Sequence, residues 1–330
     1  MNKTQISIVL AVYNGAKYLK ESIDSILCQS FGDFELIIIN DGSTDSSESI
    51  IQQYTDSRIV YVNNETNKGL VTSLNIGLAK SCGKYVARMD ADDIAFPNRL
   101  EVQYNYMEAH PEVGLCGSSV EAFWVDSKRS QRVDFATTDI AIRAFTFFQS
   151  PFCHPTVIIR KEVLDKYNLN YSKDYYLAED YALWIELLRY TKAANIPQVL
   201  LRYRKHKGSE TALGDAKGNV HLDVVMRIHE QYLLQHGINT NIFRMESYSR
   251  FTDRSLRCDL LMDQQKRTAE MLQHLLSELS VRHKELISVT RHYLSTVCFY
   301  KFFTAKRIPS SFLLQKLCLQ GLFIYLKRIF

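Results

Sequence analysis

The chain has 330 residues, of which 46% are hydrophobic and 23% charged, so it can bury a large core and is not expected to be disordered. Its 40 basic and 36 acidic residues give a formal charge of +4, a bias too small to indicate a nucleic-acid partner. The seven cysteines form no C-x-x-C pair, which predicts reduced thiols in a cytoplasmic protein and argues against a disulfide scaffold.

The first 90 residues alternate short β-branched runs with segments of helical periodicity, a pattern typical of βαβ units on a parallel sheet. Strands are predicted at 6–12, 34–40, 58–62 and 84–89, with helices between them. The near-continuous apolar run at 36–39 favours a strand that is covered on both faces. This part of the chain is therefore expected to form an α/β domain.

Beyond residue 93 the pattern becomes mixed and then purely helical. A helix is predicted from Pro97 to about Ala109, strands follow at 113–125 and 156–159, and another helix begins near Asp180. Long helical patterns follow residue 215, at about 220–236, 258–279 and 283–303. The predicted organisation is an α/β catalytic domain over residues 1–215 and a helical region over residues 216–330.

Polar residues follow the predicted strands at the edge where open parallel sheets bind their ligands. The first strand ends in Ala-Val-Tyr-Asn-Gly, the second in Asn-Asp-Gly-Ser-Thr-Asp, and the third leads to Asn-Lys-Gly. An aromatic ring can stack on a base, and a carboxylate after the second strand can bind a ribose or a base edge. Together these groups predict a nucleotide ligand.

The fourth strand ends in an acidic cluster, Asp90, Asp92 and Asp93. Three carboxylates within four residues repel one another unless a cation compensates them, so the cluster predicts an oxygen-ligand site for Mg²⁺ or Mn²⁺. A metal there would bridge the carboxylates to a diphosphate. The alternative is that Asp92 and Asp93 cap the following helix while Asp90 is solvated.

Six motifs in order make residues 6 to about 210 resemble a family 2 glycosyltransferase of the GT-A fold. They are V-L-A-V-Y-N-G at 9–15, N-D-G-S-T-D at 40–45, N-K-G-L at 67–70, G-K-Y-V-A-R-M-D-A-D-D at 83–93, H-P-T-V at 154–157 and A-E-D-Y-A-L-W at 178–184. The resemblance implies an α/β fold with a mostly parallel central sheet flanked by helices. It also implies transfer of a sugar from a nucleotide donor with inversion of the anomeric centre.

The resemblance implies a role for most of the polar residues at the strand ends. Asp90 and Asp92 form a D-x-D motif in which Asp92 is the expected metal ligand, although Asp93 could share or replace that role. Lys68 and Arg88 are expected to bind base or phosphate, with a surface or ion-pair role as the alternative. The expected nucleotide-sugar contacts are Ala11, Tyr13, Asn14, Asp41, Asn67, Lys68, Asn75, Arg88, Asp90 and Ala91.

The resemblance also places a catalytic base. Asp180 matches the family position of a carboxylate that deprotonates the acceptor hydroxyl, and Glu179 beside it is expected to position the acceptor or to perturb Asp180. The alternative is that both are acidic residues favoured by the dipole at a helix start. His154 and Trp184 are expected on the acceptor side, although a lone tryptophan at helical spacing also suits a core. His206 is expected to complete the set of metal ligands. The alternative is that it is a solvated histidine in a loop.

The last 30 residues carry six basic residues, many large apolar ones and no acidic residue. This composition predicts that residues 305–330 contact a membrane surface, where anionic headgroups attract the basic side chains. The alternative is a helix packed on the catalytic domain or on a second subunit, which would make the protein an oligomer. The expected location is the cytoplasm, peripheral on the inner face of the cytoplasmic membrane.

The sequence therefore predicts an inverting, metal-dependent hexosyltransferase. Its expected donor is a UDP-hexose or UDP-N-acetylhexosamine, and its expected acceptor is a glycan or lipid-linked sugar of a surface polysaccharide. One alternative is a nucleotidyltransferase, which would need a glycine- and basic-rich loop where this chain has Tyr-Asn-Gly-Ala-Lys. A second alternative is a non-catalytic nucleotide-sugar or glycan-binding protein, which would need neither the acidic cluster nor Asp180.

Overall fold

The computed structural model describes residues 4–209, 219–241 and 262–304, together with residues 316, 317 and 320. The chain divides into two compact units. The first comprises Met1–Thr138 and Phe152–Ala216, and the second comprises Asp139–Pro151 and Lys217–Phe330. The segment Asp139–Pro151 thus belongs with the later helices, which the sequence pattern did not predict.

Four parallel strands form the first half of the sheet in unit one. They are β1 (Ile6–Val12), β2 (Phe34–Asn40), β3 (Ile59–Asn63) and β4 (Tyr85–Asp90), in the order β3-β2-β1-β4. The connecting helices are α1 (Ala16–Leu27), α2 (Ser47–Ile51) and α3 (Leu70–Lys80). The βαβ pattern predicted from the sequence is confirmed, because successive strands are parallel and a helix joins each to the next.

The remaining strands of unit one extend the sheet in both parallel and antiparallel pairs, and helices connect them. They are β5 (Ile94–Ala95), α4 (Arg99–Ala109), β6 (Val113–Trp124), β7 (Ser130–Val133), α5 (Asp139–Thr146), β8 (Ile158–Arg160), α6 (Lys161–Tyr167), α7 (Glu179–Leu187) and β9 (Lys192–Lys205). The full order is β3-β2-β1-β4-β8-β6-β9-β5, with β7 paired to β6. β8 runs antiparallel to β4 and β6, whereas β6 and β9 are parallel. The expected α/β fold with a mostly parallel central sheet and a helical C-terminal region is confirmed.

Two local predictions differ from the structure near residue 156 and after residue 190. Thr156 lies in a short 3-10 helix, His154–Thr156, and not in the strand expected at 156–159. β9 was not predicted at all. Pro197 interrupts its pattern, and the pairing skips from Ile196 to Val199 opposite consecutive residues of β6. A proline has no N–H for the ladder, so it is accommodated where the strand bulges.

The core of unit one explains why the strand ends hold their positions. Ile8, Leu10 and Ile38 are fully buried in the sheet, and α1 covers it with Leu19 and Ile23, which are also fully buried. Each such side chain contributes about 1.5–3 kcal/mol when it is removed from water. The loops after β1, β2 and β4 therefore leave a fixed frame at one edge of the sheet.

Unit two is helical, as the sequence predicted. It contains α5 and three long helices, Asn219–Gln235, Met262–Arg282 and Lys284–Thr304. The Phe147 ring, just after α5, lies 4.8 Å from the ring of Tyr232 in the helix Asn219–Gln235, so an aromatic pair packs these two segments together. Among the described residues, no helix is both long and apolar enough to cross a membrane. Residues 258–261 and, apart from residues 316, 317 and 320, the predicted membrane-contacting tail lie outside the described residues.

Candidate functional site

The carboxyl ends of β1, β2 and β4 meet at one edge of the sheet. Ala11 pairs with Ile39 on one side and with Asp90 on the other, so the first and fourth predicted strand ends are direct neighbours. Ala91 follows at the start of the next loop and packs against the core. Motifs that lie far apart in the sequence are thus adjacent in space.

Asn14 ties the loop after β1 to the loop after β2. It has a left-handed backbone with φ of 51°, which asparagine tolerates better than most residues. Its side-chain oxygen accepts a hydrogen bond from the backbone N–H of Thr44 at 2.8 Å, and its own N–H donates to Ser43 Oγ at 3.0 Å. Tyr13 beside it is 49% exposed, so its ring is available to a planar ligand.

Asp41 orders the segment around Lys68. It is buried, and its two carboxylate oxygens accept hydrogen bonds from Asn64 Nδ2 at 2.8 Å and from the backbone N–H groups of Lys68 and Gly69, both at 2.9 Å. Asn67 and the side chain of Lys68 are exposed. Asp41 therefore holds the loop that presents the Lys68 ammonium.

The acidic cluster is assembled as the sequence predicts. Asp90, Asp92 and Asp93 each offer a carboxylate oxygen, and these oxygens lie within 4.8 Å of one another. Asp93 is buried, with one oxygen accepting from the Arg204 N–H at 2.7 Å. Its other oxygen is buried without a partner among the described residues. Burial, reinforced by Asp90 and Asp92, raises the pKa of Asp93 well above its ordinary value.

Arg88 lies behind this cluster as a buried cation. It is 4% exposed and forms an ion pair with Asp90. Burial raises the pKa of Asp90, and the Arg88 charge opposes that effect. The same charge opposes the rise that burial causes in the pKa of Asp180 and adds to the fall that burial causes in the pKa of His154. Arg88 therefore acts on both the acidic cluster and the predicted acceptor side.

His206 contacts the cluster from the end of β9. Its Nε2 lies 2.8 Å from Asp92 Oδ2, so all four predicted metal-ligating residues lie together. Arg204 fixes this segment, since its Nε donates to the Asp92 carbonyl at 2.6 Å and its guanidinium lies 4.2 Å from the Tyr18 ring. Arg204 also forms an ion pair with Glu21 on α1. The sequence assigned no role to Tyr18 or Glu21, and it pointed to Arg204 only through the resemblance of residues 203–206 to a Y-R-x-H segment that closes over the diphosphate.

Asp180 lies in the first turn of α7. Its carboxylate accepts a hydrogen bond from the adjacent Tyr181 N–H at 2.7 Å. Burial raises the pKa of Asp180 to about 6, although the Tyr181 N–H and the Arg88 charge both oppose this rise. A carboxylate with that pKa is ionised at neutral pH and still binds a proton readily, which suits a general base. Glu179 is 7% exposed at the helix start.

The two residues expected on the acceptor side pack beside α7. The His154 ring lies edge-on to Trp184, with 5.7 Å between their centroids, and its Nε2 lies 2.9 Å from the Tyr171 hydroxyl. Burial, with Arg88, lowers the pKa of His154 well below its ordinary value, so this imidazole is neutral. Trp184 is fully buried, so it packs beneath His154 as part of the core and its ring is not exposed to a ligand.

Asn75 lies away from the strand ends, against the backbone of Tyr171. Its side-chain amide donates to the Tyr171 carbonyl at 2.8 Å and accepts from the Tyr171 N–H at 3.0 Å. This two-way bond attaches the segment before α7 to α3. The side-chain amide of Asn75, predicted to contact the nucleotide sugar, is thus bonded to the backbone of the segment before α7.

The region that carries the six motifs is similar in sequence to known glycosyltransferases. Residues 7–167 match the model of the family described as Glycosyl transferase family 2. The chain is 37% identical over 217 residues to an uncharacterized glycosyltransferase of Haemophilus influenzae, covering 63% of this chain and 67% of that protein. It is 33% identical to the O-antigen biosynthesis glycosyltransferase WbnJ of Escherichia coli, over 62% of this chain and 81% of WbnJ.

A solved structure shows the same fold. Residues 1–349 of S. aureus TarS, crystallised in complex with UDP-GlcNAc, superimpose with a TM-score of 0.61. The match covers 98% of this chain and 92% of the TarS chain at 15% sequence identity. At that identity the likeness establishes the architecture alone.

Proposed function

Because the chain belongs to glycosyl transferase family 2, we propose that it is an inverting enzyme that moves one sugar from a nucleotide donor to a glycan or lipid-linked acceptor. The observation that carries this proposal is the arrangement around Arg88. The acidic cluster lies on one side of that buried cation, and Asp180, with its pKa raised to about 6, responds to the same charge.

The residues of the acidic cluster fit a divalent cation. An unpartnered buried oxygen of Asp93, carboxylates that repel one another and an imidazole nitrogen next to Asp92 are donors that Mg²⁺ or Mn²⁺ accepts. Asp92 and His206 would hold the ion, with Asp90 or Asp93 beside them. A bound cation would neutralise the negative charge that develops on the departing nucleoside diphosphate.

Asp180 supplies the proton acceptor for the reaction. In the proposed step it removes the proton of an acceptor hydroxyl as that oxygen forms a bond to the anomeric carbon. The bond from that carbon to the diphosphate breaks at the same time, and the nucleoside diphosphate leaves with the bonding electrons. The proton ends on Asp180, and attack opposite the leaving group inverts the anomeric centre.

The donor and acceptor classes are supported by the exposed Tyr13 ring and by the relatives. Tyr13 can stack on a base, and the structural neighbour TarS was crystallised with UDP-GlcNAc, which supports a UDP-hexose or UDP-N-acetylhexosamine donor. The WbnJ relative acts in O-antigen biosynthesis, which supports a surface-polysaccharide acceptor. A cytoplasmic enzyme attached to the inner membrane face through residues 305–330 would meet a lipid-linked acceptor there.

The test replaces Asp180 and measures donor binding and transfer separately. A thermal-shift screen of nucleoside diphosphates and nucleotide sugars with Mn²⁺ identifies the donor. Asp180→Asn is then expected to abolish transfer while it keeps the metal-dependent thermal stabilisation by the nucleotide. The matched control is Glu186→Gln, which changes a surface carboxylate on the same helix that pairs with Arg189. An Asp180→Asn enzyme that still transfers sugar would remove Asp180 from the mechanism.

A further inference from the structure

The paired ends of β6 and β9 carry two different faces. Their parallel pairing sets Ala122 opposite Tyr203 and Trp124 opposite Lys205. Side chains alternate between the faces of a sheet, so these four residues lie on one face. The intervening residues, Phe123 and Arg204 among them, lie on the other face. That second face meets α1 and the acidic cluster through Arg204.

The first face combines aromatic rings with cations. The Arg129 guanidinium lies 4.4 Å from the Trp124 ring, and the Lys205 ammonium lies 4.4 Å from the Tyr203 ring. The turn between β6 and β7 places Arg129 beside Trp124, because the Trp124 N–H donates a hydrogen bond to the Arg129 carbonyl at 3.1 Å. Ala122 between the rings is buried, whereas Trp124, Tyr203 and Lys205 are half-buried and Arg129 is exposed. We call Trp124, Arg129, Tyr203 and Lys205 the aromatic–basic face.

The charge on this face is not neutralised within the part of the chain that the structure describes. On the opposite face Arg202 pairs with Glu121, and Arg204 pairs with Glu21. Within the described ranges, neither Arg129 nor Lys205 forms an ion pair with a carboxylate. The Arg129 guanidinium donates only a long bond of 3.4 Å to Gln131. The face therefore presents two uncompensated positive charges beside two rings.

The aromatic–basic face adjoins the transfer site. Lys205 directly precedes His206, which contacts Asp92. Tyr203 of this face and Cys153, which directly precedes the predicted acceptor-side residue His154, pack against the same hydrophobic core cluster. The aromatic–basic face and the predicted acceptor side therefore rest on the same part of the core. In an inverting transfer the acceptor approaches from the side opposite the departing diphosphate, so the face that does not meet the acidic cluster suits an acceptor.

We propose that the aromatic–basic face is an acceptor subsite for a sugar that bears a negatively charged group, either a phosphate or a carboxylate. This inference rests on the proposed function, because it names the acceptor of that reaction. Sugar rings present C–H groups that pack on the Trp124 and Tyr203 rings. The anionic substituent accepts charge-assisted hydrogen bonds from Arg129 and Lys205.

The experiment measures binding of small anionic and neutral sugars to the full chain by ligand-observed NMR. The nucleoside diphosphate found in the thermal screen and Mg²⁺ are present to occupy the donor site. Methyl glucuronide against methyl glucoside tests the carboxylate, and glucose 6-phosphate against glucose tests the phosphate. We expect the wild-type chain to prefer at least one anionic sugar over its neutral partner by about tenfold.

Variants assign the preference to the proposed residues. A chain with both Arg129→Gln and Lys205→Gln is expected to bind the anionic and neutral sugars equally. Trp124→Ala is expected to weaken the binding of both. The matched control is Arg189→Gln with Tyr190→Ala, a cation and a ring of the same kind after α7. A second control is Lys192→Gln, at the other end of β9. Both controls should keep the preference.

Two outcomes would overturn the inference: no preference in the wild-type chain for either anionic sugar, or a preference that survives the Arg129→Gln, Lys205→Gln double substitution. Circular dichroism and thermal melting establish that each variant is folded. The readout is binding and does not need turnover, so the catalytically impaired Asp180→Asn chain is expected to show the same preference. Failure of the transfer reaction and failure of this subsite are therefore separate results.

Discussion

The proposed donor side and the proposed acceptor side of the site are stabilised in different ways. On the donor side, Asn14 joins the loop after β1 to the loop after β2, and Asp41 joins the loop after β2 to the Lys68 segment, each accepting more than one backbone hydrogen bond. On the acceptor side, the Asp180 carboxylate accepts a hydrogen bond from the Tyr181 N–H of its own helix, and burial opposes its ionisation. The loops after β1 and β2 are thus ordered by hydrogen bonds, whereas Asp180 is, like Asp93 in the acidic cluster, a buried carboxylate whose ionisation costs free energy.

This difference has a consequence for substitutions. A change on the donor side removes hydrogen bonds that also hold the fold, so stability and donor binding should fall together. A change at Asp180 removes a costly charge, so activity should fall while stability rises. The four substitutions below test that contrast, beginning with the largest expected effect.

Asp92→Asn is expected to have the largest effect, because Asp92 is the carboxylate that the His206 imidazole contacts. Loss of a cation ligand should abolish the Mn²⁺-dependent part of the thermal stabilisation by nucleotide and slow transfer by about 10²–10³-fold. Thermal shift with and without Mn²⁺ and the rate of nucleoside diphosphate release measure the two effects. Asp174→Asn, at an exposed carboxylate in the segment before α7, is the control. Unchanged Mn²⁺ dependence would exclude Asp92 as a ligand.

Asp41→Ala tests whether the donor side couples stability to binding. The substitution leaves the Lys68 and Gly69 N–H groups and the Asn64 amide without their buried acceptor, which should cost about 2–4 kcal/mol of unfolding free energy. Urea denaturation measures the loss, and the nucleotide affinity should fall in the same variant. Asp165→Asn, at a surface ion pair with Lys161, should change stability by less than about 1 kcal/mol. A stable Asp41→Ala variant would contradict the role of Asp41 in ordering the loop.

Asp180→Asn should stabilise the protein at neutral pH, the opposite sign to Asp41→Ala. The folded pKa of about 6 lies above the ordinary value of 3.8, so ionisation of Asp180 opposes folding. That cost is fully present above pH 6 and disappears as the pH falls towards 4. At pH 8 the variant should be more stable by about 1–2 kcal/mol, since one pKa unit corresponds to about 1.4 kcal/mol and partial solvation reduces the effect.

The pH dependence of transfer provides a second measurement on the same group. Asp180 must be ionised to accept a proton, so the rate should fall about tenfold per pH unit below pH 6. The charged or titratable groups near Asp180 are Arg88, Tyr171 and Cys153, which lie on other segments, and Glu179, which precedes it on α7. Arg88 remains charged throughout this range, so it does not produce the transition. Equal stability of wild-type and Asp180→Asn chains at pH 8 would show that the carboxylate carries no such cost.

Local motifs explain how much of the site could be predicted. Asp90, Asp92 and Asp93 are close in the sequence and follow a strand, so their proximity needed no knowledge of the tertiary fold. The hydrogen bonds of Asp41 reach residues 27 and 28 positions away, and those of Asn14 reach 30 and 31. No spacing rule reports such partners. The sequence alone thus assigned Asn14 and Asp41 to ligand contacts, which stays a prediction, and it did not show that both side chains order loops.

The fold shows the same limit. The four parallel strands were predicted because each carries its own apolar pattern and is followed by a helix. β9 depends on pairing with β6, whose partner residues lie about 80 positions earlier, for example Trp124 opposite Lys205. Pro197 and polar residues interrupt the pattern of β9, and only the sheet shows that it is a strand. The aromatic–basic face could not be predicted, because it exists only in that pairing.

Glu21→Gln is expected to have the smallest effect and defines where the ordered donor side ends. Glu21 pairs with Arg204, but its side chain is 54% exposed, so solvent already weakens the pair. Arg204 keeps its bonds to Asp93 and Asp92 and its contact with Tyr18 without Glu21. Loss of the pair should therefore cost less than about 1 kcal/mol in urea denaturation and change the donor KM by less than about threefold. A loss comparable to that of Asp41→Ala would show that the rim of the donor side, and not only its buried loops, holds His206 at Asp92.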